Sequence, residues 1–167
     1  MEIDFKDSIL GAERDITLPG NRVIHLKIPA GIREGQKLRL AAKSTQGGDL
    51  YIQIKIKPSN IYRREGNDIH IEIPVTLAEA ILGGEIEVPA IEGPISVSVP
   101  KGASSGTKLR IKGRGAPIKS LASERGNLLV TVKVVLPKQI DSELEESIRK
   151  WSEHHSYNPR SNLGGSP

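Results

Sequence analysis

Two adjacent histidines, His154 and His155, and the run Lys112-Gly113-Arg114-Gly115 are the residues of this 167-residue chain whose types first suggest chemistry. The histidines are metal-ligand types, but neighbours on a helix point about 100° apart, and no carboxylate or third histidine is spaced to complete a site. The glycine run resembles a phosphate loop without its Gly-Lys-Ser/Thr ending, and no strand-to-long-helix unit follows it, so it predicts a solvated turn. Serine, histidine and aspartate all occur, yet no G-x-S-x-G elbow or other nucleophile setting is present. The absence of cysteine excludes disulfides, Cys-ligated zinc and thiol catalysis, and it fits a reducing compartment. The expectation is a protein that is not an enzyme and carries no cofactor and no metal.

Charge offers a second chemistry. The chain has 24 basic and 20 acidic residues, for a formal charge of +4. Arg63, Arg64, Lys108, Arg110, Lys112, Arg114 and Lys119 are the residues that would meet DNA phosphates. Against that reading, the two signs are interspersed, as on any solubilised β protein, and 3% aromatic content is too little for a base-stacking platform. Glu2, Asp4 and Asp7 stand where a signal peptide has its basic start, and no apolar run nears the roughly 20 residues needed to cross a bilayer. These features predict a soluble cytoplasmic protein that touches no membrane, associated with the nucleoid on the DNA reading.

The elements that must position these residues come in two copies. Residues 29–40 read P-A-G-I-R-E-G-Q-K-L-R-L and residues 100–111 read P-K-G-A-S-S-G-T-K-L-R-I. Flanking pieces keep the same order: I-L-G-A-E at 9–13 with I-L-G-G-E at 81–85, I-T-L-P at 16–19 with I-E-V-P at 86–89, and G-D-L-Y-I at 48–52 with G-N-L-L-V at 126–130. The offset is 70 to 72 early and 78 late, which places a longer insertion, Arg114 to Arg125, in the second copy. Ile24, Leu26 and Ile28, then Leu50, Ile52, Ile54 and Ile56, alternate as half-buried strands do. Ile95, Val97 and Val99, then Leu128, Val130, Val132 and Val134, are their counterparts.

The predicted fold is mostly β: two similar β-sandwich-like domains in tandem, each with a short helix, and then a C-terminal amphipathic helix. The expected divisions are 1–59, 60–138, a helix over 139–155 and a loose tail over 156–167. Thr76 and Glu79 have capping-box spacing ahead of Ala80, Ile81 and Leu82, and Ser142 and Glu145 repeat that spacing. Ile140, Leu144, Ile148 and Trp151 then fall on one helical face.

With the repeat in view, the order P-A-G-I-R-E-G-Q-K-L-R-L, G-G-D-L-Y-I-Q-I-K-I-K-P, Y-R-R-E-G-N-D-I-H-I-E-I-P-V-T-L-A-E-A-I-L-G-G-E-I-E-V-P, P-K-G-A-S-S-G-T-K-L-R-I-K-G-R-G resembles the C-terminal domains of DnaJ-like J-domain proteins. The likeness is strongest to the bacterial curved-DNA-binding-protein-A type and runs over nearly the whole chain. The J domain with its His-Pro-Asp motif, the Gly/Phe-rich linker and the Cys-rich zinc module of some relatives are not in this sequence. A fragment, or a member that has lost its J domain, is expected. The Lys43 to Gly48 connection is also shorter than the Gly-rich loop of many relatives.

The resemblance implies binding of unfolded, extended apolar client segments in a groove of the first domain, and a homodimer. The groove residues it implies are Ile16 and Leu18, Leu26 and Ile28, and Ile52, with Ile3 and Phe5 closing one end. Arg14 is the implied contact for acidic groups, including the acidic tail of the seventy-kilodalton heat-shock chaperone, which a J domain elsewhere in the protein would engage. Leu144, Ile148 and Trp151 are the implied dimer contacts.

Overall fold

The computed structural model describes residues 1–41, 47–118 and 123–163. The first repeat contributes β1 (Glu2–Ile3), α1 (Phe5–Leu10), β2 (Ala12–Leu18), β3 (Arg22–Ile28), β4 (Lys37–Leu40), β5 (Leu50–Gln53) and β6 (Lys55–Ile56). The second contributes β7 (Tyr62–Glu65), β8 (Asp68–Val75), α2 (Leu77–Leu82), β9 (Gly84–Ala90), β10 (Gly93–Val99), β11 (Lys108–Ile111) and β12 (Leu128–Val134). α3 (Ser142–His154) follows. The chain is mostly β with three short helices, as expected.

The repeat extends to strand pairing. β1 runs parallel to β6 as β8 does to β12, β2 and β3 form an antiparallel hairpin as β9 and β10 do, and β4–β5 corresponds to β11–β12. β7, antiparallel to β8, has no counterpart in the first copy among the described residues. The Lys43 to Gly48 connection and the insertion lie partly outside the described residues.

Local chemistry explains the matching corners. Thr76 and Glu79 make the full capping box at α2. Gly11 and Gly83 end α1 and α2 with φ of 82° and 76°, returning their N–H groups to Asp7 and Glu79 carbonyls. A Cβ at either would stand 2.9 or 3.0 Å from the carbonyl oxygen of Ile28 or Val99, so glycine is required twice, for backbone angle and for space.

Residues Met1–Val135 form one compact unit with two buried clusters. Ile3, Leu26, Ile28, Ile32 and Ile54 make the first. The second, around Ile69, Val88, Leu128 and Val130, also takes in Ile9 from α1 of the first repeat, and Phe5 packs against it. Arg64 ties the copies together: its guanidinium donates to the Gly31 and Ile32 carbonyls, both at 3.1 Å, and to that of Gly66 at 2.9 Å.

The second unit begins at Leu136. Its helix is capped one residue before the predicted position: Asp141, not Ser142, is the N-cap, and its carboxylate accepts the Leu144 N–H at 2.8 Å. An aspartate there caps as well as serine and adds a negative charge at the positive end of the helix dipole. Glu145, released from capping, pairs with Arg149 one turn on. No α3 residue is buried; Leu144 is half-buried, while Ile148 and Trp151 are each about half exposed, leaving the apolar stripe uncovered within its own unit. His155 stacks on Trp151, and Tyr157 meets the same indole edge-on.

Candidate functional site

The inner face of the β2–β3 hairpin carries Ala12, Arg14, Ile16 and Leu18 opposite Ile28, Leu26, Ile24 and Arg22. The β4–β5 hairpin pairs Leu38 with Ile52 and Leu40 with Leu50. Ile16, Leu38, Leu40 and Ile52 rim the first cluster, and with Leu18 and Leu50 they remain only half-buried. β2 pairs with β3 alone among the described residues, so its other edge offers main-chain N–H and C=O groups to an added strand.

The second copy lacks this opening. The strand register sets Val88 and Ala90, not Ile86 and Val88, at the positions of Ile16 and Leu18; with Leu128 and Val130, at those of Leu50 and Ile52, they are exposed by 0, 2, 0 and 0%. The difference has a visible cause. Ile9, Tyr62, Ile91 and Ala116 add cover to the second cluster, and the Tyr62 hydroxyl donates to the Pro89 carbonyl of β9. In the first copy the counterpart of Ile91 is exposed Pro19, and that of Ile9 lies at the surface of the second copy as Ile81, 53% exposed. One repeat is closed by its own chain and the other is open.

The predicted groove residues therefore separate. Ile16, Leu18 and Ile52 line the opening. Ile3, Leu26 and Ile28 lie beneath it, 1–3% exposed, and hold its walls without offering surface. Phe5 closes no end of it: its ring stacks on Tyr62 at 5.8 Å and packs against the second cluster. Aliphatic alternation marks a buried face but cannot say which end of that face is covered, and α1 is drawn toward the larger core. Leu38, Leu40 and Leu50 are half-buried beside them, and of these only Leu50 belongs to the alternation that the sequence shows.

Arg14 stands on the inner face where the second copy has Ile86, and it is held by an ion pair to Asp7. Arg14 is the one charged side chain on that face of β2.

On the outer face, His25 lies across from Asp15, with Nδ1 2.8 Å from the carboxylate, and Nε2 is 3.4 Å from Glu13. The Asp15 hydrogen bond and the two negative charges raise the His25 pKa above its ordinary 6.5. The charged form thus binds its partners better in the folded hairpin. The stabilisation is fully present below about pH 6.5 and is lost as pH rises through the higher folded value. A proton NMR titration is expected to find His25 titrating above 6.5, and Asp15→Asn to return it toward 6.5.

The basic residues do not gather into one surface. Arg63 pairs with Glu65 at 3.2 Å, Arg64 donates to the Gly31 carbonyl at 3.1 Å, and Arg114 reaches Glu92 at 3.5 Å. Lys108, Arg110 and Lys112 remain exposed along β11 and just past it, and Lys119 lies outside the described residues. Of the glycine run, Gly113 makes the turn, but Gly115 is buried and not solvated: its N–H donates to the Gly126 carbonyl and that of Ala116 to the Asn67 carbonyl, each at 2.8 Å. Among the described residues, no cluster of three metal-ligand types forms and no helix is long and apolar enough to cross a membrane.

Comparison with known proteins bears directly on this paired, half-open architecture. The family model described as the DnaJ C terminal domain matches residues 1–137. The chain belongs to the DnaJ C-terminal domain family. It is 37% identical over 152 residues to "Chaperone protein DnaJ 1" of Mycobacterium leprae, covering 86% of this chain and 39% of that one. With "Chaperone protein DnaJ" of Oceanobacillus iheyensis it shares 39% over 143 residues, covering 82% and 38%. "Chaperone protein DnaJ 2" of Corynebacterium efficiens gives 35% over 158 residues, covering 89% and 39%. The chain thus spans about two fifths of the length of these relatives. The DnaJ family model ends at 137, so α3 falls beyond it.

Proposed function

We propose that this chain is the client-holding and dimerising part of a DnaJ-type chaperone, acting by binding and not by catalysis. The observation that carries the reading is the asymmetry of the repeats: the same four positions are sealed in the second copy and half-open in the first. An extended apolar segment adds to the free edge of β2, bonding main chain to main chain, while alternate side chains enter between Ile16, Leu18, Leu38 and Ile52. The second copy, sealed at these positions, serves as a spacer.

Burying one client Leu or Phe contributes roughly 1.5–3 kcal/mol before ordering costs, so a single groove binds weakly. Two grooves on one dimer raise affinity through effective concentration. The uncovered stripe of Leu144, Ile148 and Trp151 supplies that dimer. A chain ending at Lys138 is expected to sediment as a monomer where the full chain sediments as a dimer; a persistent dimer would move the interface elsewhere.

In the wider protein, the client passes to a seventy-kilodalton heat-shock chaperone when these domains are joined to a J domain, and Arg14 is the candidate contact for that chaperone's acidic tail. The cysteine-free sequence and its repeat motifs support placement near the curved-DNA-binding-protein-A branch and in the cytoplasm. The test of the central reading is suppression of aggregation of a chemically unfolded client by the full chain, with binding of a labelled apolar peptide as the direct measure.

A further inference from the structure

A cleft of about 570 Å³ lies where the turn at 29–36 of the first repeat meets β7 of the second. Its walls carry four cations, Arg33, Lys57, Arg63 and Arg64, against one carboxylate, Glu34. Two of the cations are matched: Lys57 sits 3.4 Å from Asp4 and Arg63 sits 3.2 Å from Glu65. Glu34 is turned to the backbone, accepting the Ile56 N–H at 2.6 Å. Arg33 and Arg64 are left without a carboxylate within 4.0 Å among the described residues.

These two guanidiniums are neighbours by construction. Arg64 donates to Gly66 and Arg33 to the side chain of Asn67 at 3.1 Å, consecutive residues of the β7–β8 turn. Arg64 also reaches the Gly31 and Ile32 carbonyls, immediately before Arg33 in the chain. Burial first, and then the charge of Arg33, lowers the Arg64 pKa, the direction expected where like charges meet without a counter-ion. The stacked rings of Phe5 and Tyr62 contribute to the wall and lower the local dielectric, which strengthens attraction for an anion.

We propose that this cleft binds a phosphate-class oxyanion between Arg33 and Arg64. Guanidinium groups present forked N–H donors that match a tetrahedral oxyanion, and two of them converging on one ligand offset their mutual repulsion. Arg33 belongs to the first repeat and Arg64 to the second, so the bound anion crosslinks the repeats and stiffens their junction. Free inorganic phosphate and a nucleoside diphosphate both present such a group, and the chemistry at the two arginines is the same.

Thermal unfolding of the full chain in sodium phosphate and in sodium chloride at matched ionic strength tests the site. Wild type is expected to gain about 4 °C at saturating phosphate, with a hyperbolic concentration dependence. Arg33→Gln, which keeps a side-chain donor for Asn67, is expected to weaken phosphate binding about tenfold or more, with a melting temperature in chloride no lower than wild type. ADP in place of phosphate separates the sources: a tighter response to ADP assigns a nucleotide phosphate, and an equal or weaker one assigns the free anion. No saturable shift in wild type overturns the proposal. So does an undiminished shift in Arg33→Gln, which would leave Arg33 as a brace for Asn67 alone.

Discussion

Gly126→Ala is expected to destabilise the chain by about 3 kcal/mol or more and to lower its melting temperature by roughly 10 °C or more. A Cβ built on Gly126 falls 2.0 Å from the Asn67 carbonyl oxygen, a separation no real pair of atoms adopts. The oxygen cannot retreat freely, because it accepts the Ala116 N–H at 2.8 Å, and Gly126 itself donates to Ala116 and accepts from Gly115, each at 2.8 Å. Moving any one strand of this knot breaks hydrogen bonds in buried backbone, at a cost of about 1–3 kcal/mol per orphaned group. Gly106→Ala is the control. Its φ of 93° disfavours alanine, but nothing lies within 4 Å, so only backbone strain of about 1–2 kcal/mol is expected. Equal losses at the two sites, read by thermal or urea unfolding, would show that the close approach at Asn67 is not what limits Gly126.

Leu18→Asp is expected to weaken peptide binding roughly 10- to 100-fold, the equivalent of about 1.5–3 kcal/mol of lost apolar contact plus the cost of burying a carboxylate. Leu18 is half-exposed and outside the buried cluster, so the fold should tolerate the change within a few degrees. Ile52→Asp should add to the loss of binding, but Ile52 packs against the core, and part of its effect will appear as lowered stability. Val23→Asp on the outer face of the same hairpin, at a residue already 64% exposed, should change neither quantity. Client protection that survives Leu18→Asp with Ile52→Asp intact in fold would remove the first repeat from client binding. The comparison is informative because the three side chains share one pair of hairpins and differ in the face they occupy.

The capping box at Thr76 and the alternation of Ile24, Leu26 and Ile28 were legible because each is a local rule acting over two to four residues. The α3 cap was misplaced by one residue because Asp141 and Ser142 are both good caps, and only the backbone angles decide between them. The role of Phe5 was not legible: an aromatic next to an apolar strand fits either of two cores, and it went to the larger one.

What the sequence determined by itself was the duplication, the β-rich class and the apolar set, since repeats and side-chain periodicity survive without any knowledge of contacts. What only the tertiary structure decided was which copy is open. Ile16 and Val88, or Ile52 and Val130, are near-identical in hydrophobicity and in strand position, so no local rule separates them. Their difference comes from distant cover: Tyr62 at the start of the second copy, Ala116 in its insertion and Ile9 from the first copy all converge on one cluster. Burial is a property of what other segments of the chain do, and Ile16 and Ile52 stay half-buried because those segments converge on the second cluster.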